Sequence, residues 1–493
     1  MIEMESGSSS ESSTPDSPQE EIGTRFTVLG AGPTGLGAAW RLTNPSGAAS
    51  GNAAKRLDNC LPFLLLDESA TAGGRAASVT TPEGFTFDYG GHILFPHPEY
   101  GEFIALLTRV IPEWHSSTPV RGVWIENRLI PTPVQRNIHR LPLPALAACL
   151  WGLCRRKPNN ENGAEPSLRE YLESQFGEAL TQLVMAPLNQ KMWAHPPEVL
   201  GSHWSSHRSG SKEKNIPDVR ISRVLRNWLF NRDEPGWTPE TTVRYPHDGG
   251  CGSIWNRVFA DLPAKYRRLN SRVHAIDAQA RRLWLINGSR VQYDHLISSI
   301  PLDVMLRLLR DQPALREKAS EFRAAKVQIF GFGLRGAMPR SLKTVHGFSV
   351  PDPQLPFWRV NIPSNFSPGN VPNPENNWSL LCECSIAPES NARYDERQIQ
   401  MALRQMGLIP HQTEVVSTFS TALDHGYPVP FAGRDALLNE VQNKLEQLQI
   451  FSRGRFGGWR YEVSNQDHSF MQGVEVIDRL LEGKSEYTYR KTW

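Results

Sequence analysis

The first residues whose types and spacing could do chemistry are Gly30-Ala31-Gly32-Pro33-Thr34-Gly35. They follow a short apolar run, Arg25 to Leu29, and lead into Leu36-Gly37-Ala38-Ala39. This is a G-x-G-x-x-G set between an expected strand and an expected helix. Gly30 permits the tight turn, Gly32 lets the backbone approach a pyrophosphate, and Gly35 lets helix and strand pack closely. The pyrophosphate then lies at the positive end of the helix. A second apolar run, Pro62 to Leu66, ends in Asp67-Glu68, where an acid can hold the ribose hydroxyls of an adenosine. The spacing from Gly35 to Asp67 exceeds the usual ~20 residues. The surplus is the Gly-, Ala- and Asn-rich stretch 44–54, taken as a loop insertion.

These pieces need scaffolding, and the bulk sequence sets its scale. A chain of 493 residues exceeds one hydrophobic core, so two or three domains are expected. Hydrophobic content of 39% and charged content of 21% are ordinary for a globular enzyme. A net charge of +2 gives no reason to expect nucleic acid or an anionic membrane. The longest apolar candidate, Leu141 to Leu153, is too short to cross a bilayer and contains two prolines. Residues 1–24 form a Ser-, Glu- and Pro-rich tail expected to be disordered, with no secretory pattern. Six cysteines (Cys60, Cys149, Cys154, Cys251, Cys382, Cys384) match no zinc spacing and are too few for a disulfide framework. Reduced thiols in a cytoplasmic protein, with no metal site, are the simpler expectation.

Ala72-Gly73-Gly74-Arg75 narrows the dinucleotide. In FAD enzymes of the amine-oxidase and glutathione-reductase superfamily a Gly-Gly-Arg at this point lies beside the flavin end, and NAD enzymes do not need it. FAD is therefore expected over NAD. From Asp88-Tyr89-Gly90-Gly91-His92-Ile93-Leu94-Phe95 onward the chain resembles the UDP-galactopyranose mutases, specifically their eukaryotic, fungal-type branch. The most similar stretch runs from Ser452 to Phe470, including Arg455-Phe456-Gly457-Gly458-Trp459 and Tyr461-Glu462-Val463-Ser464-Asn465-Gln466-Asp467-His468. Residues 189–194, 244–255, 356–368 and 424–430 match as well.

The resemblance implies an α/β fold: an FAD-binding Rossmann-like (glutathione-reductase-type) domain, an inserted helical domain and an antiparallel β-sheet domain. The expected boundaries are 25–100, 240–300 and 425–485 for the discontinuous FAD domain. The mostly helical domain would take 101–239 and the sheet domain 301–424. Within them, Leu168 to Met185 looks amphipathic. Val474, Ile477, Leu480 and Leu481 repeat at helical spacing, suggesting a closing helix that starts near Gly473.

The resemblance also implies a reaction. Such enzymes interconvert the six- and five-membered ring forms of UDP-galactose with no net redox change. The reduced flavin N5 attacks the sugar's anomeric carbon, and UDP is the leaving group. In the fungal branch NADPH primes the flavin. Carried over by residue, Arg208 and Arg359 grip the diphosphate, with Tyr427, Tyr461 and Asn465 beside it. Phe95, Gln135, Asn189 and Trp193 surround the uridine. His92 lies over the flavin in a positioning role, and Arg455 and Gln466 lie near its ring system. Thr34, Asp67, Gly74, Arg75, Gly90, Gly91 and Val273 join Gly30, Gly32 and Gly35 as FAD contacts.

Several ligand-facing positions depart from the family's pattern. Thr132 and Val134 stand where Tyr and Phe are usual, and Phe366 replaces a phosphate-binding Tyr. Gly347 and Ser349, in His346-Gly347-Phe348-Ser349, lie where Trp and Tyr are usual, and Glu240 replaces an Asn. Three readings stay open: a mutase with a shifted substrate site, a paralogue using its flavin as an oxidoreductase or isomerase on a different substrate, and a flavin-binding protein whose active site has decayed.

Overall fold

The computed structural model describes residues 20–45, 60–94, 97–157, 165–206, 217–234, 236 and 242–490. Most of the 1–24 tail, most of the 44–54 insertion, and Phe95, Arg208 and Glu240 lie outside them. The first strand begins at Glu21, inside the stretch that composition assigns to the tail. Parallel pairing with Arg290–Ser298 starts at Glu21 and extends the strand past its apolar run.

Glu21–Leu29 pairs in parallel with Cys60–Leu66 on one side and Arg290–Ser298 on the other. Arg267–Arg268 extends one edge. At the other edge lie Ile450–Ser452, in parallel, and the antiparallel strands Arg282–Leu285 and Val273–Asp277. The central strands are apolar at consecutive positions because both faces of the sheet are covered. Phe26, Val28, Phe63 and Leu65 pack on the helices Pro33–Thr43, Gly101–Val110, Gly252–Asp261 and Gln466–Glu482. Leu29, Leu64 and Leu66 pack on Leu302–Leu308 and Arg434–Gln447. Residues 302–308, assigned by sequence to the sheet domain, thus cover the dinucleotide sheet instead.

The second seven-stranded sheet runs in the order Glu414–Pro428, Ala324–Arg335, Asn377–Ile386, Arg359–Asn361, Gly347–Ser349, Arg121–Ile125 and Arg128–Pro131. All neighbours are antiparallel except Gly347–Ser349 with Arg121–Ile125. The last two strands come from the segment expected to be helical, a correction to the 101–239 boundary. The helices Leu143–Arg155, Leu168–Leu180 and Ala186–Trp193 form the remaining layer. Ser167 and Glu170 cap the second of these reciprocally, which fixes its start. Leu172, Phe176, Leu180 and Trp193 share a core with Val327, Ile329 and Leu423 of the sheet.

Two devices join the domains at the glycine loop. Gly331 and Gly333 leave room for the Phe87 and Phe85 rings, which an added Cβ would meet at 2.7 Å. The hairpin Ser78–Thr80/Thr86–Asp88 therefore lies flat on the second sheet and delivers Tyr89-Gly90-Gly91-His92 between the two sheets. Asp88 anchors it, accepting from Ser78 Oγ at 2.5 Å, Tyr245 OH at 2.9 Å and the Cys251 amide at 3.0 Å. The closing helix starts at Gln466, seven residues before the start expected from apolar spacing. Gly473 sits inside it, where a Cβ would lie 2.0 Å from the Thr34 carbonyl oxygen. Gly37 makes the reciprocal approach, with a Cβ 2.2 Å from Phe470 O.

Two predictions follow from this packing. Gly473→Ala must push the two helices apart and is expected to cost about 1–3 kcal/mol; a denaturant titration would show it, together with reduced retention of the dinucleotide. The second concerns Glu475, which accepts from the Thr488 amide and hydroxyl, each at 2.7 Å. Burial, opposed by those hydrogen bonds, pushes its carboxyl up to about 7 from an ordinary 4.5. The folded chain therefore holds a proton that the unfolded chain releases. The resulting stability is complete below pH 4.5 and is lost as pH rises through about 7. Glu475→Gln is expected to remove this loss, worth roughly 3 kcal/mol, so its thermal midpoint should fall less than wild type's between about pH 5 and 8.

Candidate functional site

The dinucleotide cradle is built at the carboxyl ends of the parallel strands. Gly32 caps the helix Pro33–Thr43 with extended backbone and no side-chain hydrogen bond to the first turn. Gly30 takes φ +95, and a Cβ at Gly35 would lie 1.8 Å from Gly30 O, so neither position admits a side chain. At Gly32 a Cβ would meet nothing closer than 4.0 Å, which leaves that backbone open to a ligand. Asp67 closes the turn: Oδ2 accepts from the Ala31 amide at 2.5 Å and Oδ1 from the Ser69 amide at 2.7 Å. The Ser271 amide donates to Asp67 O at 2.8 Å, which brings the strand starting at Val273 alongside.

Gly73 and Gly74, both with positive φ, fold back on this turn. Gly73 N–H donates to Ala31 O at 2.9 Å. Arg75 follows, and burial lowers its pKa against the opposing pull of Asp424. Thr34 is wedged beneath Gly454, whose Cβ would meet Thr34 Oγ1 at 2.2 Å. Gln466 Oε1 accepts from Trp255 Nε1 at 2.7 Å. His92 Nε2 is buried and has no hydrogen-bond partner among the described residues. Burial also lowers the His92 pKa, so the ring is held neutral. The open Gly32, the uncapped first-turn amides and the orphaned His92 nitrogen fit a bound FAD.

Across the Gly-Gly-His loop lies a cluster of cationic and hydroxyl side chains around Glu383. Arg359 and Glu383 stand directly opposite one another on paired strands. Arg359 Nε and Nη2 donate to Glu383 Oε1 and Oε2, each at 2.7 Å. Tyr427 OH donates to Oε2 at 3.0 Å, Asn361 Nδ2 to Oε1 at 3.2 Å and the Gly91 amide to Oε1 at 2.8 Å. Burial alone would raise the Glu383 carboxyl; Arg359, with these donors, holds it below the ordinary carboxylate range. Arg121 Nη2 donates to Asn361 Oδ1 at 3.1 Å. Burial and the neighbouring Arg359 pull its guanidinium down to about 10. Arg455 lies 5.3 Å from the ring centroids of both Tyr427 and Tyr461, and donates to Ser464 Oγ at 2.9 Å. Of these cations Arg359 alone bonds Glu383 directly; Arg121 reaches it through Asn361, and Arg455 lies over the Tyr427 ring.

Of the residues expected around the uridine, Asn189 and Trp193 lie together beside Tyr427 and Tyr461, and Phe95 lies outside the described residues. Gln135 Nε2 donates to Pro217 O at 2.9 Å. Asn189 donates to Met185 O at 2.8 Å and accepts from Trp193 Nε1 at 3.2 Å. Trp193 is fully buried, edge-on to Tyr461 at 4.9 Å between centroids. Each amide thus makes a bond within the fold, and the Trp193 ring packs against Tyr427 and Tyr461. Asn465 is exposed at the head of the closing helix, without a side-chain capping bond. Phe366 is buried against Tyr245 and His346, at 5.7 and 5.0 Å between centroids. Sequence reasoning missed Glu383, Asn361 and Arg121. Glu383 had a signal, as the lone charge in an apolar strand, Trp378 to Ile386; Arg121 had none.

Comparison with known proteins agrees with this arrangement. The family model for flavin containing amine oxidoreductase matches residues 33–334. A crystal structure of reduced UDP-galactopyranose mutase superposes with a TM-score of 0.85 at 35% identity, covering 95% of this chain and 97% of that one. A putative protoporphyrinogen oxidase from Exiguobacterium sp. 255-15 shares the fold at TM-score 0.67 and 16% identity, covering 94% and 99% of the two chains. Cyclohexylamine oxidase from Brevibacterium oxydans does so at 0.63 and 12%, with the same coverage. A glycine cradle shaped for FAD, a family model spanning more than half of the chain and a mutase matched almost end to end agree: the chain belongs to the UDP-galactopyranose mutase family, within the flavin-containing amine oxidoreductases.

Proposed function

We propose that the chain is a flavin-dependent, non-redox isomerase that interconverts UDP-galactopyranose and UDP-galactofuranose, with reduced FAD as the active form and NADPH as reductant. The observation that carries this reading is the cluster of half-buried guanidinium groups, Arg121, Arg359 and Arg455, gathered with Tyr427, Asn361 and Glu383 beside the Gly90-Gly91-His92 loop. A redox enzyme for amines has no need of such a set; a leaving diphosphate does.

FAD, when bound, supplies the nucleophilic nitrogen. The protein's own residues do the rest. As the anomeric C–O bond breaks, negative charge gathers on the β-phosphate. Arg359 and Tyr427, both of which donate to Glu383, would redirect donors to that charge. Arg208, carried over from the family pattern, would add a second guanidinium from outside the described residues. Asn465 and Tyr461 complete the donors on the closing-helix side. His92, held neutral, orients the flavin and takes no proton. The free state of all six cysteines suits a cytoplasmic setting, and among the described residues no helix is long and apolar enough to cross a membrane.

A second reading, a paralogue with another phosphorylated substrate, is favoured by Phe366. Its ring lies in an apolar cluster with Tyr245 and Cys251 and offers the ligand no donor.

The deciding assay gives NADPH-reduced holoenzyme UDP-galactofuranose and follows UDP-galactopyranose by chromatography. Formation above a no-enzyme control, with flavin staying reduced through many turnovers, is the expected result. No product, together with a UDP-induced change in the flavin spectrum, would select the paralogue; no spectral change would leave neither reading standing. Tyr427→Phe removes one charge-assisted donor, worth about 1.5–3 kcal/mol. UDP affinity measured by calorimetry should fall roughly 10- to 100-fold, with FAD content unchanged.

A further inference from the structure

Trp358 is 5% exposed, and its indole Nε1 is buried without a hydrogen-bond partner among the described residues. A donor withdrawn from water and given no acceptor destabilises the fold, so its retention calls for a reason. Its surroundings set it apart from the other buried donors without partners. The Arg359 guanidinium lies over the Trp358 ring, 4.4 Å from the centroid, and the Tyr427 ring meets it edge-on at 5.8 Å. The indole therefore touches both side chains that donate to Glu383 and would turn to a departing diphosphate.

The backbone that carries this ring is fixed on both sides. The Trp358 amide donates to Glu383 O at 3.0 Å, and the Trp358 carbonyl accepts from the Val350 amide at 2.8 Å. Lys191 closes the frame, donating from Nζ to Val350 O at 2.9 Å and to Asp352 O at 2.7 Å. The turn 350–358 is thus tied to the helix Ala186–Trp193 and to the strand Asn377–Ile386. We infer that Trp358 is a ligand-binding residue whose indole N–H donates to a phosphoryl oxygen held by Arg359 and Tyr427. This rests on the reading of that cluster as a diphosphate site. An indole N–H only donates and a phosphoryl oxygen only accepts, and a bond to a charged acceptor is the stronger kind. Arg359 is both the cation that draws the phosphate in and the group that covers the indole, so the anion arrives at the same ring. A donor fixed before the ligand comes loses little freedom on binding.

The alternative is that Trp358 only fills the core that it shares with Trp193 and Tyr427. The two roles differ in what removal of the N–H does. A donor with no partner in the free protein can be removed without loss of stability, yet ligand affinity then falls. The experiment places benzothienylalanine at position 358, which puts sulfur in place of the N–H and keeps both rings; Trp358→Phe is the second variant. Each FAD holoenzyme is titrated by calorimetry with UDP and with inorganic pyrophosphate, and is unfolded in denaturant without ligand. The expected result is a Kd about tenfold higher for both probes, with FAD content unchanged and a denaturation midpoint no lower than that of wild type in the isosteric variant. Trp358→Phe should weaken both probes to the same extent. Unchanged affinities in an FAD-loaded variant overturn the proposal, as does a loss confined to UDP, or a loss that accompanies a lower midpoint in both variants. In either of the first two cases the diphosphate reading of the cluster stands. Wild-type binding of pyrophosphate without UDP, weakened in the variants, supports the role of Trp358 and overturns the uridine reading. Binding of neither probe by wild type overturns both.

Discussion

The architecture depends on one backbone approach. The helix Pro33–Thr43 and the closing helix Gln466–Glu482 meet where Gly37 and Gly473 leave only main-chain atoms, and a methyl group at either would lie about 2 Å from a carbonyl oxygen. That contact brings the two ends of the chain together. It holds the glycine turn, with its uncapped first-turn amides, beneath Gly454 and beside Gln466. A longer separation would leave the parallel sheet intact but open the cradle. The constraint therefore belongs to cofactor binding as much as to stability.

The second organising feature is electrostatic. A guanidinium withdrawn from water is costly unless compensated, and Arg359 is compensated by Glu383. Glu383 holds Arg359 in a bidentate grip that strand register enforces, because the two residues are directly opposed in the sheet. The hairpin bearing Asp88 places the Gly-Gly-His loop against this cluster, and the hydrogen bond from the Gly91 amide to Glu383 joins the two.

The ligand half of the site shows how an altered sequence is accommodated. Phe366 packs edge to face with His346 and at a tilt against Tyr245. Burial and the nearby Arg121 pull the His346 imidazole down to about 4, so it stays neutral beside that cation. The lost hydroxyl at Phe366 is thus replaced by apolar packing and leaves no unsatisfied group of its own.

The sequence by itself determined the dinucleotide cradle, because each of its glycines answers a local steric demand that spacing alone expresses. It also determined the family, through ordered blocks that chance does not assemble. It placed the closing helix too late and assigned 121–131 to the wrong layer, because apolar spacing records which face is buried but not where hydrogen-bonding partners lie. Only the tertiary structure decided the cluster around Glu383. Arg121, Glu383 and Tyr427 come from three different strands, and Arg359 and Asn361 from a fourth. Their convergence depends on sheet order and register, which no local pattern encodes.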